Sequence, residues 1–481
     1  MYDRRATPLR TNGVFLGAAL LLAGCAIAPP RQDIAPMKPA DAYAGDATFA
    51  DQNSAWPSDS WWREYGDPQL TALIEEGLTG ASDMRIAAAR LGLADAMVDP
   101  ARGALLPTLD ASGKVDQERQ SYNYLIDSSV VPKGWNDAGI VSFNLNWELD
   151  FWGKNRAALA AAEGDAKAAA AEAAAARLAV STGIANVYAR LAALYADRDA
   201  ASDALRVRKQ TVRLIRNRFK KSLENESALE RVKSAEASVE ARLAAIDEQI
   251  GLTRNQLAAL LGKGPDRGLA VTRPAVEGGR YVGAPAQLPA ELLGRRPDVV
   301  AAKLHVEAAA KRIDQAEAAF YPNINLAAVV GRQALGLNLL SSSDSTFGSV
   351  GPVISLPIFD GGRLAAGQRK AEAQYDIAVA TYDRTLTEAL HQVADVLVSQ
   401  RQLDRRLADT QRSAKAAEKA WRIVSDRYNG GLATYLEVLS AEDVLIDARR
   451  ATAALQTRAF ALDISMVRAL GGGFRNTENP S

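Results

Sequence analysis

The sequence has few of the residues from which disulfides, metal sites and thick aromatic cores are built. Its 481 residues include one cysteine, so no internal disulfide can form, and two histidines, His305 and His391, both within helix-forming stretches. A metal site of imidazole or thiolate ligands is therefore not expected, and no cofactor is predicted. Aromatic residues make up 6% of the chain, and much of its 48% hydrophobic fraction is alanine. Because alanine packs in thin layers, this composition favours helix-on-helix packing.

Neither charge is in excess, and the signatures of common catalytic sites are missing. Lysine plus arginine and aspartate plus glutamate each number 57, so the composition offers no basic field for a nucleic-acid backbone, and nucleic acid is not a predicted partner. No glycine-rich phosphate loop follows a strand, and the glycines at 471–473 are more simply a helix stop. Carboxylates lie on charged helix faces, without a nucleophile beside a base. The chain is therefore not expected to be an enzyme.

The first residues have the organisation of a bacterial export signal. Three arginines precede an apolar run at 14–23, which is too short to span a bilayer as a permanent helix but suits a signal peptide. The run ends in LLAGC, which resembles the lipobox of bacterial lipoproteins. This resemblance implies removal of residues 1–24 and lipidation of Cys25, typically with palmitate among the acyl chains. A buried free cysteine is the alternative.

The residues after Cys25 indicate where the mature chain is held and where its folded part begins. Ala26 stands where an aspartate typically retains such lipoproteins at the inner membrane, so the resemblance implies the outer membrane. Residues 25–60 are rich in proline, alanine and glycine and are predicted to form a lipid-anchored extended linker. Regular structure is expected from Trp61 and Trp62, read as a packing anchor rather than a ligand platform, with Asp67 as an N-cap and Pro68 as the first helical residue.

The sequence repeats itself with a period near 209 residues, as from Arg218 to Arg427. Corresponding segments are LLPTLDASG (105–113) and AFYPNINLAAVVG (319–331), WELDFWGK (147–154) and LPIFDGGR (356–363), RFKKSL (218–223) and RYNGGL (427–432), and ALLGKG (259–264) and RALGGG (468–473). Each copy is predicted to contain a helix, two strands, a long helix, a turn and a returning helix. The predicted divisions are a first repeat at 61–265, an equatorial linker at 266–288, a second repeat at 289–473 and a tail at 474–481.

Four segments alternate between apolar and polar residues, as strands with one apolar and one polar face do. They are predicted near 107–120, 138–150, 322–333 and 347–359. Runs of about this length can cross a bilayer when tilted. Trp147 and Trp152 stand where a strand would leave the lipid, as membrane-interface aromatics. A soluble antiparallel sandwich is the alternative, which the period alone does not exclude.

Four strands are too few to close a membrane barrel. An open edge in lipid leaves backbone groups unsatisfied, and the smallest membrane barrels have about eight strands. The chain is therefore expected to oligomerise, two copies giving eight strands and three giving twelve. Eight strands would be filled by side chains, whereas a larger number leaves an aqueous lumen. If the polar face lines a pore, three copies are expected.

Two proline-free stretches, 153–221 and 363–429, predict helices about 100 Å long at roughly 1.5 Å per residue. Shorter partners near 226–261 and 434–470 are predicted to return antiparallel to them. Apolar residues recur at spacings of three and four, and alanine fills much of the rest, so neighbouring helices can approach closely. A helical tube that continues the strand barrel is the predicted assembly.

Two long segments of the second repeat resemble a known family. They are LPAELLGRRPDVVAAKLHVEAAAKRIDQAEAAFYPNINL (288–326) and FDGGRLAAGQRKAEAQYDIAVATYDRTLTEALHQVADVL (359–397). Both are similar to the TolC-like outer-membrane efflux factors, in the lipoprotein branch typified by NodT and OprM, and the resemblance extends from about 61 to 472. It implies a mainly helical homotrimer, with a twelve-stranded barrel in the outer membrane and a helical barrel through the periplasm.

The resemblance also implies a function and partners. Such proteins are the exit channels of tripartite systems, which pass drugs or toxic organic compounds to the exterior and open at their periplasmic helix tips. The implied partners are a periplasmic membrane-fusion adaptor and an inner-membrane transporter of the resistance-nodulation-division or major-facilitator type. One alternative is a duct for type I protein secretion. Another is a periplasmic coiled-coil scaffold lipoprotein, which the four alternating strands argue against.

The resemblance assigns the gate to the second helix-helix turn, RYNGGLATYLEVLSAE (427–442). Carried over by position, Leu436 is the apolar channel constriction and Glu437 an acidic ring, where three carboxylates would repel one another and favour cations. The resemblance assigns the tip contacts that hold the closed state to Arg427, Tyr428 and Thr434. Alternatively, Glu437 is an exposed carboxylate at a helix start, where the helix dipole favours it.

The sequence departs from the family pattern at two positions near the turns. Ser440 stands where many members carry an aspartate, which argues against a double acidic ring. Ser222 replaces the usual glycine of the first turn, which leaves the shape of that turn open.

Overall fold

The structure, a computed structural model, describes residues 36–39, 42–43, 46–49, 54–123, 127, 129–276, 282–285 and 288–476. The predicted signal peptide, Cys25 and much of the predicted linker lie outside these residues. In the described part, strands are numbered β1 to β4 and helices of eight or more residues α1 to α8. In chain order they are α1 (Pro68–Gly80), α2 (Ser82–Gly103), β1 (Thr108–Glu118), β2 (Asn136–Glu148), α3 (Lys154–Lys220), α4 (Glu226–Leu260), α5 (Leu288–Arg295), α6 (Pro297–Ala318), β3 (Asn323–Leu335), β4 (Thr346–Ser355), α7 (Arg363–Asn429) and α8 (Tyr435–Ala469).

The four strands form one antiparallel sheet in the order β1-β2-β3-β4. β4 ends at Ser355, opposite Asn323 in β3, rather than near 359 as the sequence predicted. Asn323 is the first residue of β3, so no strand partner remains for the residues that follow Ser355. Pro357 also lacks the N–H that a ladder needs. Within the described residues, β1 and β4 each pair on one side, so the sheet has two open edges.

The strand register separates an apolar face from a polar one. Leu109, Leu145, Ala328 and Val350 form one row across all four strands. On the opposite face the hydroxyls of Ser112 and Ser142 are 3.0 Å apart. The apolar face is not covered, because seven of its side chains are 46–76% exposed: Leu109, Val115, Val141, Phe143, Val330, Val350 and Ile354. The predicted alternation is therefore confirmed.

A carboxylate caps each long helix where it leaves the sheet. Asp150, just after β2, accepts hydrogen bonds from the backbone N–H groups of Asn155 at 3.1 Å and Arg156 at 2.9 Å in the first turn of α3. Asp360, after β4, accepts one from the N–H of Leu364 at 2.7 Å in α7. That bond holds the pKa of Asp360 below its ordinary value. Both carboxylates satisfy N–H groups that have no partner within the helix, so strand passes into helix with few intervening residues.

The repeat predicted from the sequence is visible in the helix lengths. The long helices α3 and α7 each contain 67 residues, and the returning helices α4 and α8 each contain 35. His305 lies in α6 and His391 in α7, both within helices as predicted. No helix in the described ranges combines the length and apolar character needed to cross a membrane.

The chain divides into two compact units. Among the described residues, the first comprises residue 36 and the ranges 92–168 and 303–381 and contains the sheet, and the second comprises the ranges 37–91, 169–302 and 382–476. The second unit buries three hydrophobic clusters, whose members include Trp61, Trp62, Leu70, Ile184 and Leu257 in one, Leu292, Val393, Leu455 and Met466 in another, and Val212, Ile215, Leu229, Val232, Tyr428 and Val438 in the third. Trp61 and Trp62 are thus packing anchors, as predicted.

Asp67 fixes the start of α1 and attaches a distant segment to it. Its Oδ1 accepts hydrogen bonds from the N–H groups of Gln69 at 2.8 Å and Leu70 at 3.1 Å. Its Oδ2 accepts one from the Tyr188 hydroxyl at 2.7 Å and one from the N–H of Ala275 at 3.1 Å. The predicted N-cap is confirmed, with Pro68 as the first helical residue.

Candidate functional site at the helix turns

The two long helices end in turns of the same kind. In the first turn the N–H of Leu223 donates to the carbonyl of Arg218 at 2.9 Å, and in the second the N–H of Leu432 donates to the carbonyl of Arg427 at 2.8 Å. A bond that reaches five residues back marks the Schellman motif, in which the residue before the donor is left-handed. The two bonds occupy equivalent positions in the two repeats, so the repeat extends to the turns.

Ser222 adopts the left-handed conformation that the first turn requires. Its φ is 58°, and the equivalent Gly431 of the second turn has a φ of 78°. The sequence left the shape of the first turn open. The structure shows that this turn has the same shape as the second, because its hydrogen bonds impose the left-handed conformation on Ser222. A residue with a Cβ atom is disfavoured in this conformation by roughly 1–2 kcal/mol, so Ser222 holds the turn under local strain.

The returning helices begin at capped residues. The side-chain carbonyl of Asn225 accepts a hydrogen bond from the N–H of Ala228 at 2.8 Å, and the Thr434 hydroxyl accepts one from the N–H of Glu437 at 3.4 Å. Thr434 is therefore the N-cap of α8, and its bond is local to that helix. Glu437 is the third residue of α8, a position where the helix dipole favours a carboxylate.

Tyr428 joins the second turn to the first. Its side chain is 1% exposed, and its hydroxyl donates a hydrogen bond of 2.6 Å to Oε1 of Glu224. The Arg218 guanidinium lies over the Tyr428 ring at 4.6 Å from its centroid, with its Nε 3.9 Å from the same Glu224 oxygen. Burial raises the pKa of Tyr428 above its ordinary value, and the bond to Glu224 adds to the rise. The hydroxyl thus stays protonated and donates near neutral pH.

The remaining predicted gate residues lie around the second turn. Arg427 donates from a guanidinium nitrogen to the carbonyl of Leu432 at 3.2 Å, within its own turn. Leu436 is half exposed, and with Glu437 it lines a groove of about 440 Å³. The other lining residues are Ala417, Ala420, Ser440, Ala441 and Val444, which come from α7 and α8. The structure thus brings Leu436 and Glu437 together on a groove and places Tyr428 in a buried cluster.

A buried ionic cluster lies between α3 and α8. Arg208 reaches Oε1 of Glu442 at 3.3 Å with one terminal nitrogen and contacts Asp443 with the other. Thr211 donates to Oε2 of Glu442 at 3.0 Å. Burial raises the pKa of Glu442 above its ordinary value, although Arg208 and Thr211 oppose the rise. Helices from the two repeats therefore meet at a charged contact in an interior site.

Sequence reasoning missed Glu224, Arg218 and the Arg208–Glu442 pair. No local pattern marks them, because each contacts a partner in the other repeat. Glu224 stands directly before the N-cap residue Asn225, and that proximity to a turn is the one signal in the sequence that could have drawn attention to it.

Two tryptophans are anchored at the end of the sheet where β2 stops and β1 and β3 begin. The indole N–H of Trp147 donates to the carbonyl of Leu105 at 3.0 Å, and that of Trp152 donates to the carbonyl of Pro322 at 2.8 Å. The Trp152 ring also stacks on Tyr321 at 4.8 Å. Both indoles keep an exposed surface while their N–H groups are bound.

Comparison with known proteins identifies the family. A profile of the outer membrane efflux protein family matches residues 73–263 and 288–472. The solved outer membrane protein VceC of Vibrio cholerae is 44% identical, with a TM-score of 0.83 over 87% of this chain and 100% of that one. The fusaric acid resistance protein FusA of Burkholderia cepacia is 35% identical over 74% of this chain and 68% of its own length. The multidrug resistance outer membrane protein MdtP of Escherichia coli is 29% identical over 96% of each chain. The chain belongs to the outer membrane efflux protein family of TolC-like channels.

Proposed function

We propose that this chain is the outer-membrane channel of a tripartite efflux system and that three copies close a twelve-stranded barrel, continued by an α-helical barrel in the periplasm. The observation that carries the proposal is the four-stranded sheet, with an exposed apolar face and two open edges among the described residues. In lipid each unsatisfied backbone group costs several kcal/mol, so neighbouring copies must pair with these edges. Twelve strands leave room for an aqueous lumen lined by the polar face.

The proposed cargo is small molecules, drugs or toxic organic compounds, rather than secreted polypeptides. The support is that relatives are named for resistance to fusaric acid and to multiple drugs. A periplasmic adaptor and an inner-membrane transporter, of the resistance-nodulation-division or major-facilitator type, would deliver the cargo. Energy would enter at the inner membrane, and this chain would only open or close.

The proposed gate lies at the helix turns. Tyr428, Glu224 and Arg218 hold the two turns of one chain together in the closed state. Leu436 and Glu437, contributed by each of three copies, form the constriction. Arg427 and Thr434 shape the second turn through their local hydrogen bonds.

The proposed membrane attachment has two parts. Lipid on Cys25 anchors the mature chain to the outer membrane, and Trp147 and Trp152 mark the level at which the barrel meets the lipid headgroups. Mass spectrometry of the amino-terminal peptide tests the first part. A peptide that begins at Cys25 and carries acyl chains supports it, and an unmodified Cys25 within an uncleaved amino terminus contradicts it.

The proposed function is tested in a Gram-negative host that lacks its own outer-membrane efflux channels. The chain is expressed with candidate adaptor and transporter pairs, and accumulation of a fluorescent dye is measured. Lower accumulation that requires all three components is expected, together with a heat-modifiable trimer on denaturing gels. A monomer that remains in the periplasm and leaves dye accumulation unchanged with every pair would contradict the proposal.

A further inference from the structure

The apolar face of the sheet ends at an arginine. Along β3, alternate residues place four apolar side chains on this face: Ile324, Leu326, Ala328 and Val330. The next residue on the same face is Arg332, which pairs with Val141 in β2 and with Thr346 in β4. A guanidinium group therefore stands where the apolar band of the sheet stops.

The height of Arg332 on the sheet matches the far boundary of a membrane. Arg332 lies nine positions beyond Asn323, the first residue of β3, and Trp152 binds the carbonyl of Pro322 just before it. Nine residues span about 30 Å along a strand, or roughly 23 Å along the membrane normal at the usual barrel tilt. The apolar band of a membrane barrel is about 25 Å tall. If Trp152 marks one lipid interface, Arg332 lies at the other.

The loop between β3 and β4 lies over this end of the apolar face. A Cβ atom added at Gly139 in β2 would lie 2.9 Å from a Cδ atom of Leu337 and 3.4 Å from one of Leu340. The two leucines thus contact β2 at a position where it has no side chain. Arg332 donates from Nη1 to the carbonyl of Ser341 at 2.7 Å, which ties the same loop to β3. The loop therefore forms a wall beside the strands.

A groove of about 760 Å³ lies between this wall and the strands. Its apolar lining is formed by residues from both sides: Val141, Phe143, Val330, Gly331, Leu337 and Leu340. Its polar lining is formed by Arg332, Ser341 and Thr346. Arg332 is exposed, and in the part of the chain that the structure describes no carboxylate forms an ion pair with it. The groove is thus apolar along its length, with an unneutralised cation at its edge.

The first repeat shows that the sheet does not need this charge. Pro107 before β1 corresponds to Pro322 before β3, so the position equivalent to Arg332 is Gln117. Gln117 is a residue of β1 and donates from its side chain to Asp137 at 3.4 Å. The same level of the sheet is therefore built with a neutral side chain in one repeat and with a cation in the other.

We propose that this groove binds the lipid A part of lipopolysaccharide, an inference that rests on the proposed function. One acyl chain lies along the apolar lining, which continues the lipid-facing surface of the sheet. Arg332 binds a phosphate of the glucosamine headgroup, because a guanidinium offers several N–H donors in the geometry that phosphate oxygens accept.

The orientation of the chain selects lipid A over a phospholipid of the inner leaflet. The long helices leave the sheet at the end where Trp152 lies, and the proposed function places that end toward the periplasm. Arg332 then lies at the outer leaflet, which in Gram-negative bacteria consists mainly of lipopolysaccharide. Since Gln117 carries no charge, a trimer presents three equivalent sites rather than six.

The test is native mass spectrometry of the detergent-purified trimer with three added lipids. They are diphosphoryl lipid A, the same lipid without its phosphates, and phosphatidylglycerol. Up to three diphosphoryl lipid A molecules per trimer are expected, with weaker binding of the other two lipids. Arg332→Gln should weaken binding of diphosphoryl lipid A about tenfold, to the level of the phosphate-free form, because a charge-assisted hydrogen bond is lost.

Two further variants separate the phosphate contact from the acyl contact. Leu340→Asn places an amide in the apolar wall and should weaken binding of lipid A with and without phosphates by the same factor. Lys114→Gln is the matched control, because Lys114 lies one row from Arg332 on the opposite face of the sheet and pairs with Asp116 at 2.6 Å. It should change lipid binding less than about twofold.

Three results obtained with conducting trimers would overturn the inference. One is equal binding of diphosphoryl lipid A by the wild-type protein and Arg332→Gln. Another is an equal loss in Lys114→Gln, which would indicate a general charge effect. The third is phosphatidylglycerol binding that equals that of lipid A and depends on Arg332, which would make a glycerophospholipid the occupant. A wild-type protein that forms neither trimers nor channels would instead contradict the proposed function.

Discussion

At the scale of single residues, Ser222 shows how a turn can be held under strain beside a proposed gate. Its left-handed φ of 58° costs roughly 1–2 kcal/mol relative to a relaxed backbone, and the bond from Leu223 to Arg218 maintains it. Gly431 adopts the equivalent conformation without that cost. The first turn is therefore the less stable of the two as far as backbone conformation is concerned.

The substitution Ser222→Gly is predicted to stabilise the first turn by about 1 kcal/mol, because glycine removes the clash of the Cβ atom. Amide hydrogen exchange, read by mass spectrometry on peptides covering 218–226, should slow about fivefold in the EX2 regime. Gly431→Ser is the matched control and should speed exchange at the second turn by a similar factor. Faster exchange in Ser222→Gly would contradict the assignment of strain.

Glu442 gives a prediction with a defined pH direction. Burial raises its folded pKa above the ordinary 4.5, so the folded protein holds this proton more tightly than the unfolded chain. Stability contributed by this site therefore falls as pH rises from 4.5 through the raised pKa, and it is recovered as pH falls. The charged groups that face it are Arg208 and Asp443, and Thr211 donates a hydrogen bond to it.

Comparison with Glu442→Gln isolates this contribution from the titration of all other carboxylates. The free energy of unfolding of the wild-type protein minus that of the variant is predicted to increase as pH is lowered from 7 toward 4.5. Urea denaturation of both proteins in matched detergent measures the difference. A difference that stays flat, or that shrinks on acidification, would show that the carboxylate is not held in a desolvated site.

The sequence predicted the role of a residue when its contact partner lies nearby in the chain, and it did not when the partner is distant. Asp67 and Pro68 were predicted from their own neighbours, because an N-cap is a contact within three residues. Tyr428 was assigned to the tip by family resemblance, but its partner Glu224 lies 204 residues earlier, and no local pattern joins the two. Only the folded chain brings the two turns into contact.

At the scale of elements, the start of α1 is fixed by one carboxylate with four donors. Asp67→Ala is predicted to lower the free energy of unfolding by about 3 kcal/mol, since it removes the helix cap and leaves the Tyr188 hydroxyl and the Ala275 N–H without their acceptor. The urea midpoint measures the effect. Asp67→Asn, which keeps one acceptor oxygen, should lose less. Equal and small losses in both variants would contradict the role given to this carboxylate.

Most helices and strands could be predicted from the sequence because the patterns that indicate them are local. Strict alternation marked the strands, and long stretches without proline marked α3 and α7. The end of β4 could not be predicted from the sequence, because Leu356 and Ile358 continue the alternation beyond the last pair with β3. Where a strand stops depends on its neighbour, and the alternation of one segment carries no information about that neighbour.

At the scale of the whole molecule, the two repeats share a fold and differ in charge. α3 with α4 and α7 with α8 have the same lengths, and their turns have the same hydrogen bonds. Residues 206–221, before the first turn, contain no carboxylate, whereas Tyr428, before the second turn, is buried. The repeat thus accounts for the shared architecture, and the side chains around the two turns differ.

The most direct test of the central claim, a channel held closed at its helix turns, is single-channel conductance in planar bilayers for the wild-type protein and Tyr428→Phe. The variant removes the hydroxyl bound to Glu224 and keeps the ring beneath Arg218, so a charge-assisted bond worth roughly 1.5–3 kcal/mol is lost. The wild-type protein should show small, mostly closed currents, and Tyr428→Phe should open longer and conduct more. A wild-type protein that neither forms trimers nor passes current would contradict the claim.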